Sequence, residues 1–149
     1  MDEKQWLILL LGVNNYAPIR GKLLLQKEMF LIVHELDKSG ELKEVLNFES
    51  YKYGPYSTIL EGILDNLKER KIVDSSTEDN VEVYKLTKKG KNKFKKIAEK
   101  IDDDLLERIK KLKIGSERLG YKGLLRYVYF NYPNFVDKSE IREEIFGGE

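Results

Sequence analysis

Apolar residues recur with a helical beat over most of this chain, and the lapses in that beat mark out its elements. Trp6, Leu7, Leu9, Leu10 and Leu11 make residues 3–13 dense enough for a buried first helix, which Gly12, Asn14, Asn15 and Pro18 interrupt. Leu25, Met29, Ile32, Val33 and Leu36 then predict a long central helix over 21–38. Ser39-Gly40 ends it, because glycine takes the left-handed conformation just past a last turn. Residues 41–47 suit either another helical turn or an extended approach, whereas aromatic and polar residues alternate over 48–53, which predicts an edge strand. Tyr53-Gly54-Pro55 forms a corner, with Pro55 expected at the first helical position, where its missing N–H needs no partner. Behind it Ile59, Leu60, Ile63, Leu64 and Leu67 share one stripe of a helix over 56–70. Ile72-Val73 and residues 81–86 are short β-type runs around a polar tip, 74–80, so a hairpin is expected, with 48–53 as the third strand such a pair needs.

Thr87 is placed to cap the next helix. From there Phe94, Ile97, Ile101, Leu105, Ile109 and Leu112 keep the beat through Asp102-Asp103-Asp104, which predicts one long helix closing at Gly115. Ser116 is expected to cap a further helix over 117–131. Tyr132-Pro133 stops that helix, since a residue before proline is pushed out of the helical region. Asp137 and Glu140 make a capping-box variant for a last short helix over 138–146. The order strand, corner, helix, hairpin, helix over 48–90 is that of a winged helix. The expected fold is therefore mainly α with a small antiparallel β-sheet: a winged-helix-like core over about residues 21–100 with C-terminal helices over about 101–146 packed on it, in a single domain of 1–149.

Composition narrows the chemistry. With no cysteine, disulfides, thiolate metal sites and cysteine nucleophiles are all removed, and a single histidine excludes a His-rich cluster. Charged residues make up 36% but balance to +1, so nothing in the overall charge points to nucleic acid or an anionic surface. No apolar run approaches the roughly 20 residues of a membrane span. The charged start Met1-Asp2-Glu3-Lys4 is unlike a signal peptide, and a cytoplasmic protein without a membrane partner is expected. There is no glycine-rich phosphate loop or nucleophile elbow, His34 has no Ser or second His near it in sequence, and consecutive Asp102, Asp103 and Asp104 point different ways round a helix. No catalytic residue, cofactor or metal is assigned, and no enzyme is expected.

Two surfaces remain. Of nine tyrosines, Tyr51, Tyr53 and Tyr56 cluster at the Gly-Pro corner, where large rings with few rotatable bonds suit a protein interface. Tyr53 and Tyr56, with Thr58, Glu61 and Asp65 on the outward face of the following helix, form the candidate partner surface. Its acidic flank would steer a basic partner toward it. The second surface is the run from Lys88 to Lys100, seven lysines against one acid, Glu99. Lys88, Lys89 and Lys91 beside the hairpin are its candidate phosphate contacts, and a solvated helix face turned toward Asp102–Asp104 is the plainer alternative. Glu61 and Asp65 stand where a base-reading helix would carry Arg, Lys, Asn or Gln, which disfavours direct readout.

Four pieces of the chain resemble a known group. Leu25-Gln26-Lys27-Glu28-Met29-Phe30 is similar to the LQK-containing helix of the Panacea, or SocA-like, antitoxin domain and the related YwgA-like proteins. Residues 51–57, with the Tyr-Gly-Pro corner, and 84–90, with Leu86-Thr87 and Gly90, resemble that group's corner and closing strand, while 124–133 resembles the C-terminal helix of the YwgA-like proteins. Glu28 departs from the hydrophobic residue often found there. The resemblance implies a non-catalytic, protein-binding module of the prokaryotic toxin-antitoxin type with a protein partner such as a basic toxin. A winged-helix DNA-binding regulator, with nucleic acid as partner, is the alternative.

Overall fold

The computed structural model describes residues 1–135. Helix α1 (Glu3–Tyr16) opens on a reciprocal cap: the Asp2 carboxylate accepts the Gln5 N–H at 2.9 Å and the Gln5 side chain accepts the Asp2 N–H at 3.0 Å. Eight successive residues, Trp6–Val13, are buried, the mark of a helix enclosed on all sides. A β-carbon at Gly12 would fall 2.1 Å from the Phe94 ring, so the absence of a side chain there lets that ring pack on α1. Asn14 and Asn15 take φ of +61° and +56°, which ends the regular helix and turns the chain into strand β1 (Ile19–Arg20). Helix α2 (Lys22–Leu31) follows, running into a π-helical turn, Ile32–Leu36. The central helix stops at Leu36, two residues before its expected end, and the left-handed Gly40 instead leads into α3 (Glu41–Leu46), which makes 41–46 helical.

Helix α4 (Thr58–Glu69) presents Leu60, Ile63, Leu64 and Leu67 to the core. It is capped by Ser57, not opened by Pro55, so its start lies two residues later than expected. The hairpin is β2 (Val73–Glu78) and β3 (Val81–Leu86), in register from Val73 opposite Leu86 to Glu78 opposite Val81. The turn is only Asp79-Asn80, both at positive φ, the geometry of a tight two-residue loop. Residues 74–78, expected in the tip, are strand; their polar side chains conceal it because past Val73 the strand is mostly exposed.

The sheet order is β1-β3-β2. Its third strand is therefore Ile19–Arg20, not 48–53, with Ile19 opposite Tyr84 and the Gly21 N–H donating to the Glu82 carbonyl at 2.8 Å. The β3 edge is occupied by the residues leaving α1, and 48–53 contributes a single bridge, Glu49 to Tyr56, that closes the corner on itself. Helix α5 (Lys88–Ala98) is capped by Thr87, whose hydroxyl accepts the Gly90 N–H at 3.1 Å. The expected long helix breaks after it. Asp102 becomes the N-cap of α6 (Asp103–Asn131), with Asp103 and Asp104 in a first turn where the helix dipole favours acids. Gly115 and Ser116 lie inside α6, which kinks at Gly120 (φ +70°) and stops at Tyr132-Pro133 as expected.

Side chains of α1 to α4, the sheet and α6 form a contiguous apolar cluster, including Leu7, Leu11, Leu25, Phe30, Leu67, Leu86, Ile109 and Leu125. This is the expected class, mainly helical with a small antiparallel sheet and a helix–hairpin–helix core, completed by a C-terminal helix. Among the described residues no helix is long and apolar enough to cross a membrane. The short helix expected over 138–146, with Asp137 and Glu140, lies outside the described residues.

Candidate functional site

The tyrosine corner is anchored from below by α2. Gln26 is buried, donates from Nε2 to the Ser57 carbonyl at 2.9 Å and accepts the Ser57 N–H at 2.8 Å, pairing with the backbone as a neighbouring strand would. The Ser57 hydroxyl accepts the Leu60 N–H at 3.0 Å and fixes the start of α4. Gly54 sits at φ +94°, and a β-carbon there would lie 2.8 Å from Lys27 Cε and 2.9 Å from Leu125 Cδ1. Both the conformation and the close approach require glycine.

Above this base the Tyr51 ring lies 5.7 Å from Tyr53 and 5.5 Å from Tyr56. The ammonium groups of Lys52 and Lys22 stand 5.2 Å and 5.6 Å from the Tyr53 and Tyr56 ring centres. With Glu49 and Thr58 the three tyrosines border a concavity of about 450 Å³. The Tyr56 hydroxyl donates to Glu61 at 2.5 Å, and Lys22 reaches the other Glu61 oxygen at 3.3 Å. The hydrogen bond from Tyr56 is the chief cause holding the Glu61 carboxyl below the usual carboxylate range. Asp65, a turn further along, pairs with Lys68 at 3.6 Å, which also reaches Glu82 at 3.2 Å. The structure thus gathers Tyr53, Tyr56, Thr58 and Glu61 into one patch. It also pairs the acids that were expected to face a basic partner, leaving the aromatic surface as the prominent feature.

The three candidate phosphate contacts are not gathered. Lys89 donates to the Arg70 carbonyl at 3.1 Å and Lys91 stands over the Tyr16 ring at 5.1 Å, while Lys88 is exposed. Asp104 pairs with Arg108 at 3.0 Å and does not serve the lysine run. His34 is packed against Phe30, Tyr132 and Phe135, with ring centres 4.3 to 5.4 Å away, and burial lowers its pKa.

Sequence reasoning missed three buried titratable side chains, of which Lys27 lies directly against the corner at Gly54. Lys27, Glu28 and Lys113 are each 0% exposed. Lys27 lies over the Tyr121 ring at 5.3 Å, and burial lowers its pKa to about 7. Lys113 donates to the carbonyls of Leu11 at 3.3 Å, Val13 at 3.0 Å and Ala17 at 2.6 Å, so an ammonium from α6 satisfies the groups left open where α1 ends. Burial lowers its pKa to about 8, opposed by the charge of Glu28. Both Glu28 carboxyl oxygens are buried with no hydrogen-bond partner, and burial raises its pKa to about 8. A signal was present: Lys27 and Glu28 interrupt a run from Leu24 to Val33 that is otherwise apolar but for Gln26, leaving α2 no polar face for them.

No family model matches the chain. Over 98 residues, 64% of its length, the chain is 34% identical to a curated protein of Plasmodium berghei (strain Anka) named iron-sulfur cluster assembly protein SufA. The matched stretch spans 54% of that protein, about half its length. These findings correct the expected kinship: nothing supports membership of the Panacea or YwgA-like groups, and the expectations of an antitoxin and of a winged-helix DNA-binding regulator fall with it. Iron–sulfur clusters are held chiefly by cysteine thiolates. This chain has no cysteine, its single histidine is packed among aromatic rings, and no group of three His, Cys, Asp or Glu among the described residues is placed to hold a metal. The residues present do not fit a cluster.

Proposed function

We propose that this chain serves iron–sulfur cluster assembly as a protein that docks on a cluster-handling partner and holds no cluster itself. The observation that carries the reading is the 98-residue likeness to the assembly protein, taken together with a chain that lacks every thiol. With no donor set among the described residues, its contribution in this reading is contact between proteins and not catalysis. The surface assigned to that contact is the corner: Tyr51, Tyr53 and Tyr56 offer aromatic area on a backbone fixed by Gln26 and Gly54. A rigid aromatic patch loses little side-chain entropy when covered.

Affinity capture under anaerobic conditions tests it. The wild-type chain should retain identified cluster-assembly proteins of its own cell, and a Tyr51→Ala, Tyr53→Ala variant should retain at least tenfold less, the loss of one modest interface anchor. Retention of none of those proteins by the wild type refutes the assignment to this process. Equal retention by the variant refutes the corner as the surface.

A further inference from the structure

A second surface lies at the opposite end of α4, roughly 18 Å along that helix from the corner. There the N-terminal half of α1, the end of α4, the C-terminal half of α5 and the turn after it enclose a groove of about 450 Å³. Its floor is aliphatic, formed by Ile8, Leu67, Ile72, Ile97 and Ile101. Its walls carry Lys4, Arg70, Lys93, Lys96 and Lys100. Asp2, the acid among its lining residues, is engaged in capping α1. None of the five cations forms an ion pair among the described residues. Lys93, Lys96 and Ile97 share the C-terminal half of α5, and Lys100 and Ile101 follow in the turn after it, so one short stretch of chain supplies both a basic wall and an apolar floor.

We propose that this groove is a docking site for an acidic amphipathic helix of a partner protein. The floor takes apolar side chains at i, i+3 and i+4, and the walls take Glu or Asp on either side of that stripe. The combination of surfaces selects this occupant. A nucleic acid uses the cations but has no use for an aliphatic floor, and single strands are ordinarily held by aromatic stacking. A membrane surface is bound by protruding apolar residues, whereas these isoleucines form the bottom of a concavity. An acidic amphipathic helix uses both, and the unpaired cations steer it in. The inference stands independently of the function proposed above.

The test uses the whole chain and a fluorescein-labelled synthetic helix of about 14 residues, with Leu at i, i+3, i+4 and i+7 and Glu on both flanks. Fluorescence anisotropy should give saturable binding that weakens as salt rises but persists where exposed charges are screened, since the floor contact is apolar. The Lys96→Glu, Lys100→Glu variant should bind at least tenfold more weakly. Lys85→Glu, Lys88→Glu, the same charge change at exposed positions outside the groove, should bind within twofold of wild type. A peptide with its leucines replaced by serine should lose most of its affinity. The proposal is overturned if the serine peptide binds as well as the leucine peptide, if the two charge variants weaken binding alike, or if duplex DNA or anionic vesicles displace the leucine peptide at equal charge concentration. Circular dichroism of both variants confirms that these exposed changes leave the fold in place.

Discussion

Replacing Lys113 with methionine removes the charge that closes the end of α1 while keeping a flexible side chain of similar length. Three carbonyls, at Leu11, Val13 and Ala17, then lose their donor in a region where Leu11 and Val13 are themselves buried. A hydrogen bond to a charged group contributes about 1.5 to 3 kcal/mol. Three would sum to well above 4 kcal/mol, but the wild-type ammonium also bears the cost of its own burial, evident in its lowered pKa. The net expectation is a loss of about 3 kcal/mol, at the lower edge of what breaking a buried charged contact costs. For a chain of this size that is a fall of roughly 6 to 12 °C in Tm. Lys113→Arg retains charge, but its planar fork cannot converge on one point between three carbonyls, so an intermediate loss is expected. Thermal and urea unfolding measure both. A methionine variant as stable as wild type, or more stable, would show that the α1 carbonyls find other partners and that the Lys113 ammonium is not what fixes that end of the helix.

Further outcomes follow from the same groups. Glu28 keeps its proton in the folded chain up to about pH 8, whereas the unfolded chain loses it near 4.5, so its contribution to stability falls as pH rises through that window. Lys27 and Lys113 release protons when folded near 7 and 8 but near 10.5 when unfolded, so their contribution rises with pH above those values; urea midpoints should pass through a minimum between pH 7 and 8, and Glu28→Gln should remove the falling limb. Gly54→Ala places a methyl against Lys27 and Leu125 at positive φ and should cost about 2 to 4 kcal/mol by urea titration; a loss below 0.5 kcal/mol would refute the packing described. Tyr56→Phe removes the donor that lowers the Glu61 pKa, so the Glu61 carboxyl should titrate at higher pH by NMR, and an unchanged midpoint would refute the assigned cause.

What the sequence made legible was decided by burial. Helix α4 and strand β3 show their periods because one face is buried and the other wet. The Thr87 cap and the Tyr132-Pro133 stop are local chemistry and sit where they were expected. Strand β1 is two residues long and has no period to detect, and β2 is polar past Val73, so neither could be found by alternation. The break at Asp102 was hidden because the apolar spacing runs on through it; the acids that begin α6 were the better guide. At the candidate site the tyrosines were legible as a cluster. The pairing of Glu61 with Lys22 and Tyr56 was not, since it joins α2 to α4 across 39 residues of sequence.

The most direct measurement of the central claim is an anaerobic titration of the chain into a purified cluster-carrying protein of the same cell, followed by calorimetry and visible absorption together. The account predicts saturable binding, weakened at least tenfold by Tyr51→Ala, Tyr53→Ala, with cluster absorption staying with the carrier and none appearing on this chain after separation. A chain that emerges holding the cluster, or that gives no binding heat with any such carrier, would contradict it.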